Sequence, residues 1–336
     1  MKQFLQKIMM RQNLSQDETS EVFDMIMSGN ATPAQIAGIL IALRMKGETI
    51  EEIAGAASSM RRHSILIDTG GKTAVDTCGT GGDSLSTFNI STTAAFVVAG
   101  AGVPVAKHGN KAITSKCGSA DLLSALGVNI NVPPETVEEC IREANIGFLY
   151  APKLHPAMKH AMTPRKELSV KTIFNMLGPL TNPAGAKNQI IGVFAPELTE
   201  TFANVLKLLG SKRAFIVHGQ DGMDEITVTT TTRISELADG NIRTYEFNPL
   251  ELTGQYANLD DIKGGDPENN AKITREILSG KKGPSRDIVC LNAAAAIVAG
   301  GKAAGIKEGW GIAQKTIDNG SAQKALGMLI RITTES

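Results

Sequence analysis

The chain has 336 residues, with Lys+Arg and Asp+Glu balanced at 34 each and only 4% aromatic residues. Zero net charge offers no field to recruit nucleic acid or an anionic membrane, and so few aromatics leave no stacking platform for bases. Cys78, Cys117, Cys140 and Cys290 form no Cys-x-x-Cys pair, and no apolar run reaches the length of a signal peptide or a membrane span; we therefore expect a soluble cytoplasmic α/β protein with reduced thiols, long enough for two domains.

Residues 1–65 read as helices alone. Capping boxes punctuate them at Ser15 with Glu18, Thr32 with Gln35 and Thr49 with Glu52. Pro33 follows Thr32 at the first helical position, and Gly29 and Gly47 sit where helix C-terminal glycines belong. The helix over 33–46 is apolar nearly all round, which predicts burial on more than one side, within a domain or against a partner chain.

From residue 73 strands and helices alternate, which predicts a mainly parallel sheet with ligands outside the carboxyl ends of its strands. Ala74 and Val75 read as a strand end. After them comes Asp76-Thr77-Cys78-Gly79-Thr80-Gly81-Gly82-Asp83, then a helix start near Ser91. Glycines allow close backbone approach, and a helix N-terminus presents free N–H groups, so this loop suits a phosphate. Ser84, Ser86, Thr87 and Ser91 add neutral donors. Asp83 is the odd member, since a carboxylate repels phosphate; it suits a sugar hydroxyl, a cation or the water shell of a metal. No Gly-Lys-Ser/Thr closes the loop and the Gly-x-Gly-x-x-Gly spacing fails, so neither a P-loop nor a dinucleotide fingerprint is present. A tight turn with solubilising hydroxyls is the plainer alternative.

A strand over 103–107 ends in Lys107-His108-Gly109-Asn110-Lys111, which points a lysine suited to phosphate at the crevice, with His108 and Asn110 as further polar contacts. Thr114, Ser115, Gly118 and Ser119 precede a helix over 119–126 and form either a second anion cradle or an ordinary cap. After a strand over 146–151, the rhythm breaks: 164–177 reads as a helix that starts at Pro164, followed by a Pro/Gly connector over 178–183. The chain here returns to the helical domain and leaves again. Arg165 could recruit a carboxylate bidentately, or simply be exposed. His155 and His160 are five apart and share no helix face, so no metal is assigned to them. Strands over 189–195 and 213–218 flank a helix over 198–209. Gly222-Met223-Asp224-Glu225 precedes a threonine-rich stretch, 226–231, that reads as a strand; the adjacent carboxylates suit Mg²⁺ shared with phosphates, or a solvated acidic turn. Four helices close the chain, over 270–278, 288–299, 306–318 and 322–332.

Taken in order, GTGGD at 79–83, NIST at 89–92, KHGN at 107–110, GSAD at 118–121, TIFNMLGPLTNP at 172–183, and VHG at 217–219 with Asp224 and Glu225 resemble the anthranilate phosphoribosyltransferase family over nearly the whole chain. The resemblance implies an α/β fold class in which a small all-helical domain (1–70, with the excursion 164–183) is hinged to a larger α/β domain (71–163 and 184–336) with a mainly parallel sheet. It implies transfer of the 5-phosphoribosyl group from 5-phosphoribosyl-1-pyrophosphate to the amine of anthranilate in tryptophan synthesis, in a homodimer joined through the helical domain. Carried over by motif, Gly79, Gly82, Asp83, Thr87, Asn89, Ser91, Thr92, Lys107 and Ser119 would hold the sugar donor. Gly79, His108, Asn110 and Arg165 would line the anthranilate path, and Ser91, Asp224 and Glu225 would hold two Mg²⁺ ions. No general base is implied, because the anthranilate amine is neutral near pH 7. Lys111, Ser169 and Lys171 depart from the family's usual Arg, Gly and Arg. Two alternatives are weighed: a pyrimidine nucleoside phosphorylase of the same fold, which has no pyrophosphate–metal complex for Asp224 and Glu225 to bind, and a non-catalytic nucleic-acid-binding paralogue, which the charge balance disfavours.

Overall fold

The computed structural model describes residues 1–83, 85–112 and 116–335. Four helices open the chain: α1 (Lys2–Met9), α2 (Gln16–Met27), α3 (Pro33–Lys46) and α4 (Ile50–Arg62). All three expected capping boxes form, with both reciprocal hydrogen bonds present in each. Gly47 ends α3 at φ 90°. The α/β part then runs β1 (Val75–Asp76), α5 (Ile90–Gly100), β2 (Val105–Gly109), α6 (Ser119–Leu126), α7 (Pro134–Glu143), β3 (Ile146–Tyr150) and α8 (Ala151–Leu154). The excursion is α9 (Lys159–Leu168) and α10 (Phe174–Leu177). After it come β4 (Asn188–Gly192), α11 (Leu198–Leu208), β5 (Arg213–Gly219), β6 (Thr232–Ala238), β7 (Asn241–Phe247), α12 (Leu250–Thr253), α13 (Pro267–Leu278), α14 (Pro284–Ala299), α15 (Ile306–Asp318) and α16 (Ser321–Glu335).

The seven strands form one sheet in the order β3-β2-β1-β4-β5-β6-β7. Pairing is parallel from β3 through β5 and antiparallel for β6 and β7. One face carries α5, α14 and α16 over a core that includes Phe96, Val97, Ala295 and Leu329. The other carries α11, and its core runs on without a break into the bundle: Ile191, Phe202 and Ile216 share a cluster with Phe23, Leu40 and Ala57. Ala161, Ile173, Phe174 and Leu177 of the excursion belong to that same cluster.

Two expectations need correction. Residues 164–177 are not one helix: α9 starts at Lys159, holds Pro164 inside it, and ends at Ser169 with φ 51°, well before α10. Proline lacks an N–H and suggested a start, yet here its buried ring packs in the bundle and offsets the lost bond. Residues 226–231 are not a strand. Thr227 and Thr229 spend their hydroxyls on the Asp221 carboxylate, and the Thr229 N–H donates to Thr227 Oγ1 at 3.1 Å, so local side-chain bonds replace a ladder. The strands that do follow are the β6–β7 hairpin, turned by Asp239 (φ 48°) and Gly240 (φ 76°), an Asp-Gly signal the sequence reading passed over.

Candidate active site

In this strand order the connections leave β1 toward β2 and reach β4 on its other side, so the chain diverges at the carboxyl ends of β1 and β4, where α/β sheets open a crevice. The glycine loop after β1 lies in that crevice, and backbone packing fixes it. Thr80 N–H donates to the Gly192 carbonyl at 2.8 Å. A Cβ at Gly79 would come within 2.9 Å of that carbonyl, and a Cβ at Gly192 would fall on the Asp224 carbonyl. Gly82 is exposed with φ 91°, a conformation that leaves bare backbone toward solvent.

The first turn of α5 borders the same space. Asn89 does not cap it: its side chain donates to the Cys117 carbonyl at 3.0 Å and accepts from Asn270 at 3.0 Å, so it ties loops together. Instead, Ser91 N–H donates to Glu225 Oε1 at 3.1 Å. Thr92 is buried behind Ser91. Glu225, Asp224 and Asp83 lie close enough to act on one another: burial first, then the neighbouring carboxylates, push the Asp224 and Glu225 carboxyls above the ordinary range. Lys107, at the end of β2, works the other way on Glu225. Its buried ammonium donates to the Thr77 carbonyl at 3.2 Å and to Thr77 Oγ1 at 3.1 Å. Acids held this close favour a shared hard cation. Among the described residues no three His, Cys, Asp or Glu side chains form a metal cage of their own. That donor set suits Mg²⁺, which keeps waters and substrate oxygens in its octahedron.

At the second expected cradle, Ser119 Oγ donates to the Asn110 carbonyl at 3.2 Å, and Asp121 accepts from Ala112 and Gly118 N–H at 2.9 Å each. Asn110 itself is exposed, as is Lys111. Thr87 is pinned by a β-bridge to Lys263. Ser84, Thr114 and Ser115 lie outside the described residues.

Two expectations about the acceptor side change. Arg165 does not start a helix: it lies in the last turns of α9, so the helix dipole gives an anion beside it no help. Its half-buried guanidinium sits 4.9 Å from the Phe174 ring centroid, and Phe174 packs on Phe23 at 5.5 Å. Burial lowers its pKa, and among the described residues it has no carboxylate partner. It is therefore a cation held by one π-face and free for a ligand. His108, in contrast, has no ring nitrogen to spare. Nδ1 lies 3.0 Å from the Gly178 carbonyl and Nε2 lies 3.2 Å from His155 Nε2. A carbonyl only accepts, so Nδ1 carries the hydrogen; Nε2 of the neutral ring then accepts from His155. Burial, then His155, pushes His108 down to about 3, and burial pushes His155 down to about 4.

The sequence reading missed the residues that join the two sides. Asp76 is fully buried and accepts from the N–H groups of Cys78 and His108 at 3.1 Å each and from Asn182 Nδ2 at 2.7 Å. Asn182 also donates to the Ala106 carbonyl at 2.8 Å. Burial pushes Asp76 up to about 6 against these donors and Lys107. The connector after α10 is thus bolted to the strands that carry the glycine loop and Lys107. Asp76 opening the loop and Asn182 inside its motif were the available signals.

Comparison with known proteins gives a consistent result. Residues 2–64 match the helical bundle domain, and residues 71–323 the a/b domain, of a glycosyl transferase family. A protein named anthranilate phosphoribosyltransferase from Desulfosudis oleivorans is 57% identical over 98% of each chain. The crystal structure of anthranilate phosphoribosyltransferase from Thermus thermophilus matches with a TM-score of 0.93 at 42% identity, covering 98% of this chain and 99% of that one. The Saccharomyces cerevisiae enzyme in complex with PRPP and Mg matches with a TM-score of 0.86 at 31% identity, covering 96% and 94%.

Proposed function

The chain belongs to the anthranilate phosphoribosyltransferase family, and on that premise we infer that it transfers the 5-phosphoribosyl group of 5-phosphoribosyl-1-pyrophosphate to the amine of anthranilate, releasing pyrophosphate. The observation that carries the reading is the meeting of the glycine loop, Lys107 and the Asp224–Glu225 pair at the switch point of the sheet.

In our reading Gly79, Gly82, Asp83, Thr87, Asn89, Ser91, Thr92, Lys107 and Ser119 form the donor side. Gly79 and Gly82 bring backbone close to the pyrophosphate, Asp83 suits a ribose hydroxyl or a metal-bound water, and Asn89 acts through the loops it ties. Lys107 supplies a fixed positive charge. Ser91, Asp224 and Glu225 would hold Mg²⁺, as two ions, and metal bound there supplies charge neutralisation of the departing pyrophosphate. Gly79, Asn110 and Arg165 would line the anthranilate path, with Arg165 taking the carboxylate in paired hydrogen bonds. His108 contributes through the seam it forms with Gly178 and His155 and not through a free nitrogen. As pyrophosphate leaves the anomeric carbon, positive charge develops on the sugar, the neutral amine bonds to that carbon, and the proton it then sheds passes to the departing pyrophosphate or to water, so no strong base is needed.

We also propose a homodimer joined through the bundle. The support is α3, apolar on nearly every side, with Met45 76% exposed beside half-buried Ala37 and Ile41. The domain division falls near residue 70, with the excursion rejoining the bundle at α9. A cytoplasmic location suits cysteines that are scattered along the chain with no Cys-x-x-Cys pair. The test is loss of anthranilate fluorescence on adding the sugar donor and Mg²⁺. Consumption that needs both supports the reading; none, or consumption with inorganic phosphate and a nucleoside alone, rejects it.

A further inference from the structure

The chain between α9 and α10 is short and held at both ends. Ser169 takes a left-handed conformation with its hydroxyl donating to the Lys166 carbonyl at 2.7 Å, and Thr172 N–H donates to Asn175 Oδ1 at 2.9 Å. Between them Lys171 is exposed and crosses to the α/β side. Its ammonium lies 4.2 Å from the ring centroid of Phe194, two residues beyond the end of β4, and 3.7 Å from where a Cβ on Gly82 would stand. The nearby acid is otherwise engaged: Asp83 accepts from Leu85 N–H at 3.2 Å and pairs with Asp224. Among the described residues no carboxylate lies within ion-pair distance of Lys171. A π-face orients a cation without neutralising it. Lys171 is therefore a charged group, aimed at bare glycine backbone, with no ion-pair partner among the described residues.

We propose that Lys171 is a donor-binding residue supplied by the excursion: its ammonium takes a phosphate oxygen of the sugar donor lying on the Gly81–Gly82 turn. This rests on the reading of the crevice as the donor site. A lysine suits the task, since a point charge on a flexible stem follows a phosphate without demanding a fixed fork geometry. The contact spans the two parts of the molecule, so bound donor draws the excursion against the glycine loop. The leaving pyrophosphate then keeps a cation beside it that is independent of the acidic side.

The experiment is calorimetric titration of inorganic pyrophosphate with Mg²⁺ into the full chain and its Lys171→Gln and Lys171→Arg variants, alongside KM for donor and for anthranilate. Lys171→Gln should weaken pyrophosphate and donor by about tenfold or more, the scale of one charge-assisted hydrogen bond, with anthranilate KM and thermal midpoint little changed. Lys171→Arg should restore most of the affinity. A Lys171→Gln protein with unchanged pyrophosphate affinity and donor KM would overturn the proposal while wild-type turnover leaves the crevice reading standing. Equal losses for donor and anthranilate would make Lys171 structural and also overturn it. A wild-type protein that consumes no donor would overturn the crevice reading, and this proposal with it.

Discussion

On the α/β side of the crevice, Asp83, Asp224 and Glu225 sit on loops whose backbones touch, Thr80 against Gly192 and Gly192 against Asp224. On the helical side, Arg165 and Lys171 rest on the faces of Phe174 and Phe194. The first wall is negative and fixed by main chain, so a shift in one loop moves its neighbours. The second is positive and fixed by side-chain stacking, so each cation can be removed with little effect on the fold. The chemistry differs in step. An anionic donor cannot approach three carboxylates without a cation between them, whereas the carboxylate of an acceptor can bind the helical wall directly.

The largest effect that would sharpen this contrast is expected from Asp224→Asn with Glu225→Gln. Turnover should fall by about two to three orders of magnitude with the fold intact, as for loss of a main electrostatic contribution to a transition state. Near-normal turnover across a Mg²⁺ titration would remove the negative wall from the mechanism. Next comes the seam between the walls, where His108 meets Gly178 and His155. Both imidazoles are depressed from 6.5, so their stability is present above pH 6.5 and is lost as pH falls toward 4 and 3. Asp76 is raised to about 6 and acts in the opposite sense, gaining as pH falls from 6 to 4. Asp224 and Glu225, also raised, act in the same sense as Asp76, so the histidines' cost between pH 7 and pH 4.5 shows in the difference between wild type and a variant lacking one of them. Urea unfolding at the two pH values measures this, and His155→Gln should flatten the loss.

Arg165→Ala should raise the anthranilate KM about ten- to a hundredfold, the loss of a charge-assisted pair, and leave the donor KM nearly unchanged. Steady-state kinetics with each substrate varied in turn would reveal a uniform loss, which would make the arginine a bundle residue only. The smallest effect concerns Ser169, a non-glycine residue at φ 51°. Ser169→Gly should stabilise the protein by about 0.5–1 kcal/mol in thermal or urea unfolding, because glycine takes the left-handed cap without a Cβ penalty.

Local chemistry was legible in the sequence and distant pairing was not. The capping boxes, α3 and α6 appear with the expected bounds because a few adjacent residues decide them. The glycine loop and Lys107 were found for the same reason. Pro164 misled because a buried proline can sit inside a helix when packing compensates, and the threonine run misled because Asp221 captures its hydroxyls. Asp76 meets Asn182 across 106 residues, and His108 meets His155 across 47, distances over which no motif speaks. Arg165 was singled out with the wrong helix end, and its π-held pose was invisible.

The opposed walls are tested most directly by titrating the sugar donor into wild-type protein by calorimetry, with Mg²⁺ and with a chelator in its place. Tight binding with the metal and its near loss without it are expected, since Asp83, Asp224 and Glu225 then face the phosphates with no metal between. Equal affinity in the two titrations would contradict the account, because the acidic wall would then have no part in holding the donor.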